Sequence, residues 1–326
     1  MKTPSSRRSA DDRSFRLGTG FFAFLVVALV GGIFFELYRT STLSLSKFGL
    51  RFWSGKIWDP VAGEFGALPF IWGTLYSSLL AMAISTPIAL GIAIFLSELS
   101  PKKLRTPLAF LTELLAAIPS IVYGLWGVFV LVPLVRQLQL LLPGWLKTVP
   151  LFSGPPLGVG MGSAALILAV MVIPFTSSVA REVLKAVPST QREAAYALGA
   201  TRWEAILAAL RFGRTGIMGA VILGFGRAVG ETMAVTMVIG NNPQIKLSLL
   251  APQYTMAAVI ANEFSEAADD LYLSALIEIG LVLFIITVII NAISRLLIWS
   301  VTREVKAKAP KPVATVAFSA PTGGGQ

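Results

Sequence analysis

The chain has 326 residues, 55% of them hydrophobic and only 13% charged, with a mean hydropathy of +0.75. That is too apolar for a water-soluble globular domain and describes an integral membrane protein, all-α because apolar runs of this length satisfy their backbone in lipid as helices. The formal charge of +10 could suit a nucleic acid, but no basic face with interleaved aromatics occurs, and with no Cys and no His the sequence offers no disulfide, thiolate nucleophile, imidazole base or Cys/His metal site.

Residues 1–16 form a basic tail carrying Lys2, Arg7, Arg8, Arg13 and Arg16. Six apolar segments then follow, at 17–37, 68–96, 108–131, 161–180, 216–239 and 271–299, each long enough to cross a hydrocarbon core of about 30 Å. Together they make a transmembrane domain over 17–306. The first segment follows basic residues as a signal peptide would, but its apolar run extends to Phe35 and no small-residue cleavage site stands out, so an uncleaved anchor is expected. The loop after the second segment carries Lys102, Lys103 and Arg105, whereas 241–270 has Lys246 against Glu263, Glu266, Asp269 and Asp270. By the positive-inside rule both termini face the cytoplasm.

Residues 38–67 are expected outside the cytoplasm, with Trp53, Trp58 and Phe65 anchored at the interface. The stretch 133–160, rich in Pro and Gly and containing Trp145, reads as irregular. Pro87, Pro119 and Pro174 fall inside the second, third and fourth segments and should kink them. Glu278 and Asn291 lie inside the last segment, where interhelical hydrogen bonds are the expected role. Residues 307–326, with Pro310, Pro312 and a glycine run, read as a disordered cytoplasmic tail.

The most informative stretch is 188–240. Thr190 to Glu193 and Thr201 to Glu204 each spell T-x-x-E, a capping box at the start of a short helix, with Gly199 placed to stop the first helix. This predicts a polar elbow over 188–211. The segment after it contains Arg227, whose charge would cost about 2.5 to 3.5 kcal/mol at a bilayer centre and so requires a purpose. Winding 216–239 as a helix gathers Gly216, Gly219, Ala220, Gly224, Gly226, Gly230 and Ala234 on one half, together with Arg227 and Glu231. That half should face protein or a water-filled path. Arg227 and Glu231, four residues apart, could pair in the weaker orientation, leaving donors for an anion.

The string EAAYALGATRW is similar to the cytoplasmic E-A-A-x-x-x-G motif of bacterial ABC-importer permeases. GFGRAVGETMAVTMVIG, with IPSIVYGLWG upstream, resembles the phosphate-importer permeases of the PstC type, and the likeness covers about 68–300. It implies the ABC importer type I permease fold, six transmembrane helices with a cytoplasmic coupling-helix elbow, in the bacterial inner membrane. It also implies a partnership with a second permease (PstA type), a cytoplasmic ATPase dimer (PstB type) that holds ATP and Mg, and an extracytoplasmic phosphate-binding protein (PstS type). No cofactor would be held by this chain, and it has no G-x-x-x-x-G-K-[ST] motif of its own. On the same likeness Glu193, Ala194, Ala195, Gly199 and Trp203 would dock the ATPase, and Arg227, Glu231, Gly224 and Gly230 would line the phosphate path. The family motif ends on Leu-Pro, and here Leu210 is followed by Arg211. Two other readings stay open: a permease for sulfate or molybdate, and a membrane enzyme acting on lipid phosphates, for which no His or Cys nucleophile is present.

Overall fold

A computed structural model describes residues 4–307. The tail expected at 307–326 therefore lies outside the described residues, except for Ala307, which ends the last helix. Among the described residues six helices are long and apolar enough to cross a membrane: Phe15–Thr40, Leu68–Leu99, Ser120–Leu141, Met161–Lys185, Arg202–Val229 and Asp270–Leu296.

The chain begins with α1 (Pro4–Thr40), then two short helices, α2 (Thr42–Phe48) and α3 (Arg51–Ser54), and a small hairpin of β1 (Trp58–Asp59) and β2 (Glu64–Phe65). The aromatics here pack against one another, with Trp53 and Trp58 half-buried. Phe52 and Phe65 are buried, and the Trp58 ring meets Phe65 at 4.8 Å and Phe70 at 4.9 Å, edge to face. They form an aromatic core with Tyr254, Met256 and Ile279, because large rings bury most area when clustered.

The second span, α4 (Leu68–Ile94), carries Pro87 within it and runs on into a π turn, Phe95–Leu99. The third departs from expectation. Residues 102–116 form a separate helix, α5 (Lys102–Ala116), and the chain breaks before Pro119, which lacks an N–H and disfavours helix in the residue before it. The crossing helix comes after the break: α6 (Ser120–Trp126), a π turn at Gly127–Leu131, and α7 (Val132–Leu141), which continues through Pro133 where irregular chain was expected. Hydropathy could not separate α5 from α6, since both are apolar. After α8 (Gly144–Lys147) comes α9 (Met161–Lys185), the central helix. Its Ala164, Ile167, Leu168, Met171 and Val172 are buried, with α4, α5 and α11 (Arg202–Val229) packed around it.

The elbow helix α10 (Ser189–Ala197) lies between α9 and α11. Beyond α11 come α12 (Met233–Val238), α13 (Met256–Glu263) and α14 (Asp270–Ala307), the last packed on α1, α11 and α13. Thr40 at the end of α1 accepts a hydrogen bond from Ser274 near the start of α14. These helices are therefore antiparallel, and the hairpin, α13 and the start of α14 occupy the end of the molecule opposite the elbow. Glu278 is fully buried in α14 beside the Ser44 hydroxyl of α2, an interhelical contact of the kind expected, whereas Asn291 bonds to Thr287 of its own helix.

Candidate functional site

The elbow is built by one capping box. Thr201 accepts from the Glu204 N–H at 3.4 Å, and Glu204 accepts from the Thr201 N–H at 2.8 Å. The box expected at Thr190 does not form: α10 starts two residues earlier than a Thr190 cap requires, with Pro188 in the N-cap position and no side-chain cap. Pro188 fixes its own φ at the turn, so Thr190 is already inside the helix. Gly199 does stop α10, with φ +82. Its N–H bonds to the Tyr196 carbonyl, and Ala200 N–H bonds to Ala195, the paired geometry that a left-handed residue completes at a helix end.

Where two short helices were expected, the second arm of the elbow is simply the beginning of α11, one unbroken helix from Arg202 to Val229. Arg211 explains this, since a proline there would have removed an N–H from the ladder. At the tip Leu198 is 90% exposed, Trp203 59% and Tyr196 50%, while Glu193 and Ala194 are exposed and Ala195 half-buried. Large apolar groups so exposed on a polar elbow mark a surface made for contact.

The membrane portion of α11 divides its small residues between two jobs. A Cβ on Gly216 would sit 2.6 Å from Val183, and one on Gly224 would overlap the Thr176 hydroxyl, so these glycines let α11 approach α9 closely. Gly219 and Gly226 have nothing within 4 Å of such a Cβ. Gly224, expected to line a path, is thus part of the helix contact, while Gly226 belongs to an open strip that reaches the exposed Gly230. Arg227 stands beside this strip.

Its guanidinium lies 5.4 Å from the centroid of Phe175, near the middle of α9, and its Nε is buried without a hydrogen-bond partner. The ion pair with Glu231 does not form. The helix ends at Val229, so Glu231 lies beyond it and the four-residue spacing no longer brings the side chains together. Glu231 instead accepts from Ala234 N–H at 3.2 Å, satisfying an amide at the start of α12. A cation at mid-helix depth, stacked on an aromatic ring and beside open space, can receive an anion, and its planar fork of donors matches the oxygens of a tetrahedral oxyanion.

Sequence reasoning missed three ion pairs, gathered around two arginines. Arg181, buried on α9, bonds Glu113 of α5 at 2.6 Å and Glu182 at 2.8 Å. Arg192 of α10 bonds Glu98 of the π turn. Glu113, a lone carboxylate within an apolar segment, was a usable signal, because a charge there needs a partner.

A family profile described as the binding-protein-dependent transport system inner membrane component matches residues 86–303. The chain belongs to this family. It is accordingly a transport subunit of an ABC importer, multi-pass in the inner membrane, that works with a separate ATPase. Within the family it is 46% identical over 303 residues to the phosphate transport system permease protein PstC of Mesorhizobium japonicum, covering 89% of this chain and 93% of that one. The PstC of Pasteurella multocida is 47% identical over 296 residues, covering 89% and 92%. A probable PstC of Methanocaldococcus jannaschii is 36% identical over 280 residues, covering 84% and 88%. In fold, this permease is similar to an inward-facing structure of the MetNI methionine ABC transporter, at TM-score 0.53 and 17% identity, covering 71% of this chain and 94% of that one.

Proposed function

We propose that this permease moves inorganic phosphate across the inner membrane as one of two membrane subunits in an ATP-driven importer. Its partners would be a second permease (PstA type), a PstB-type ATPase dimer carrying ATP and Mg, and a PstS-type phosphate-binding protein. The observation that carries the reading is Arg227, a membrane arginine without a carboxylate partner, beside an open glycine strip. Its fork would hold phosphate as it passes, with Gly226 and Gly230 leaving room for the anion. Glu231 would keep the α11–α12 break in shape, and Gly224 would seat α11 on α9.

The ATPase would dock on the cytoplasmic elbow at Glu193, Ala194, Ala195, Gly199 and Trp203. The unbroken α11 supports this transmission: Arg227 lies 25 helical steps beyond Arg202 in one helix, about 38 Å at 1.5 Å per step. A push on the tip would therefore be delivered to the arginine along a single rod. Closure of the ATPases would tilt α9 and α11 and expose Arg227 alternately to the two sides.

Reconstituted in liposomes with its ATPase and binding protein, the complex should take up radiolabelled phosphate upon ATP addition, and excess sulfate or molybdate should not compete. Inhibition by either competitor would make the cargo a different oxyanion. The orientation is tested in the cysteine-free chain by two exposed serines. In right-side-out vesicles a cysteine at Ser265 should label with an impermeant thiol reagent and one at Ser189 should not. Labelling at Ser189 would place the elbow outside and remove the docking role.

A further inference from the structure

The elbow is attached to the second span through one residue that the coupling motif does not include. We propose that Glu98 is a positioning residue for coupling, a clamp that joins both arms of the elbow to the end of α4 so that a push on the elbow moves three spans as one. This rests on the docking role proposed above.

The geometry is specific. The Arg192 guanidinium donates from Nε to one Glu98 oxygen at 3.1 Å and from Nη2 to the other at 2.5 Å. Its remaining donors go to the end of α9, Nη1 to the Val187 carbonyl and Nη2 to the Leu184 carbonyl, both at 3.0 Å. One side chain thus joins α10, α9 and the π turn. Arg202, the first residue of α11, donates to the Glu98 backbone carbonyl at 2.9 Å. Both arms therefore converge on the same residue.

A two-pronged pair with a carboxylate fixes orientation as well as distance, which a single point contact does not. The Glu98 side chain is 11% exposed and that of Arg192 22%, so solvent screens this pair less than the surface pair Arg39–Glu36, exposed at 66% and 56%. Its position also bears on function. Glu98 lies in a five-residue π turn, Phe95–Leu99, and such turns recur at functional points of helices. Apart from this pair, α10 is held by its packing on α11 and by its short connections, and its own N-terminus has no side-chain cap.

The test uses the assembled importer in proteoliposomes and measures phosphate uptake per ATP hydrolysed, a ratio that altered yield or simple loss of stability does not change. Glu98→Gln keeps the size and removes the charge, and uptake per ATP should fall about tenfold, the scale expected for losing a charge-assisted hydrogen bond. Arg192→Lys keeps the charge without the fork and should fall less. Arg192→Gln alone and the double variant Glu98→Gln/Arg192→Gln complete a cycle. If the pair acts as a unit, the double variant should be no worse than either single one.

Trp203→Ala, on the exposed side of the elbow, separates the clamp from the docking role. Lower coupling in Trp203→Ala with a normal ratio in Glu98→Gln would overturn the clamp and leave docking intact. Normal ratios in both would overturn docking as well. If Glu98→Gln fails to assemble, Arg192→Lys decides: a parental ratio there overturns the clamp. Additive losses in the double variant would also overturn it.

Discussion

Arg227→Gln is expected to lower phosphate uptake by roughly a hundredfold or more, the scale of losing a charged two-pronged contact to an anion in a low-dielectric path. Removing one partner of a buried ion pair costs about 3 to 5 kcal/mol and would confuse loss of transport with loss of folding. Here that objection is weak, because Arg227 has no carboxylate partner and Glu231 remains bonded to Ala234. The variant should therefore assemble in parental yield. Arg227→Lys should recover part of the uptake, since it restores the charge without the fork. Radiolabelled uptake measured alongside the yield of detergent-extracted complex checks both statements. Near-parental uptake in a well-assembled Arg227→Gln complex would remove this arginine from the path.

The second large effect separates two glycines that lie two residues apart. A side chain at Gly224 would run into Thr176, with Val172 also at 3.1 Å, so Gly224→Leu must push α11 off α9. Overpacking of this kind costs about 1 to 3 kcal/mol or more, and complex yield should drop with uptake. At Gly226 an added Cβ has nothing within 4 Å, and the substitution gains about 1 kcal/mol in helix propensity. Gly226→Leu should assemble normally yet block uptake, because the new side chain fills the strip beside Arg227. Normal transport by Gly226→Leu would show that the open strip is not the path. Loss of assembly would instead make it a contact surface for the second permease.

The sequence by itself determined a good deal of this protein. Its composition required membrane-spanning helices, because runs such as 68–96 and 161–180 are stable only in lipid or a large core. The T-x-x-E at Thr201 and the turn at Gly199 were legible because capping and left-handed turns depend on neighbours within a few residues. Arg227 was legible because a charge in an apolar run stands out whatever surrounds it.

Only the tertiary structure decided what those residues do together. Helical winding placed Gly224 and Gly226 on one half of the helix, but only the position of α9 shows that one is covered and the other open. The four-residue spacing of Arg227 and Glu231 implied a pair, and the end of α11 at Val229 cancels it, since spacing carries meaning only while the helix continues. Hydropathy ran α5 into α6 and ran 216–239 through the break, because an average over apolar residues does not register a change of direction. The Glu98–Arg192 clamp joins residues 94 positions apart. No local pattern contains such a pair: it exists because α4 and α9 bring their ends together at the elbow, and that is a property of packing.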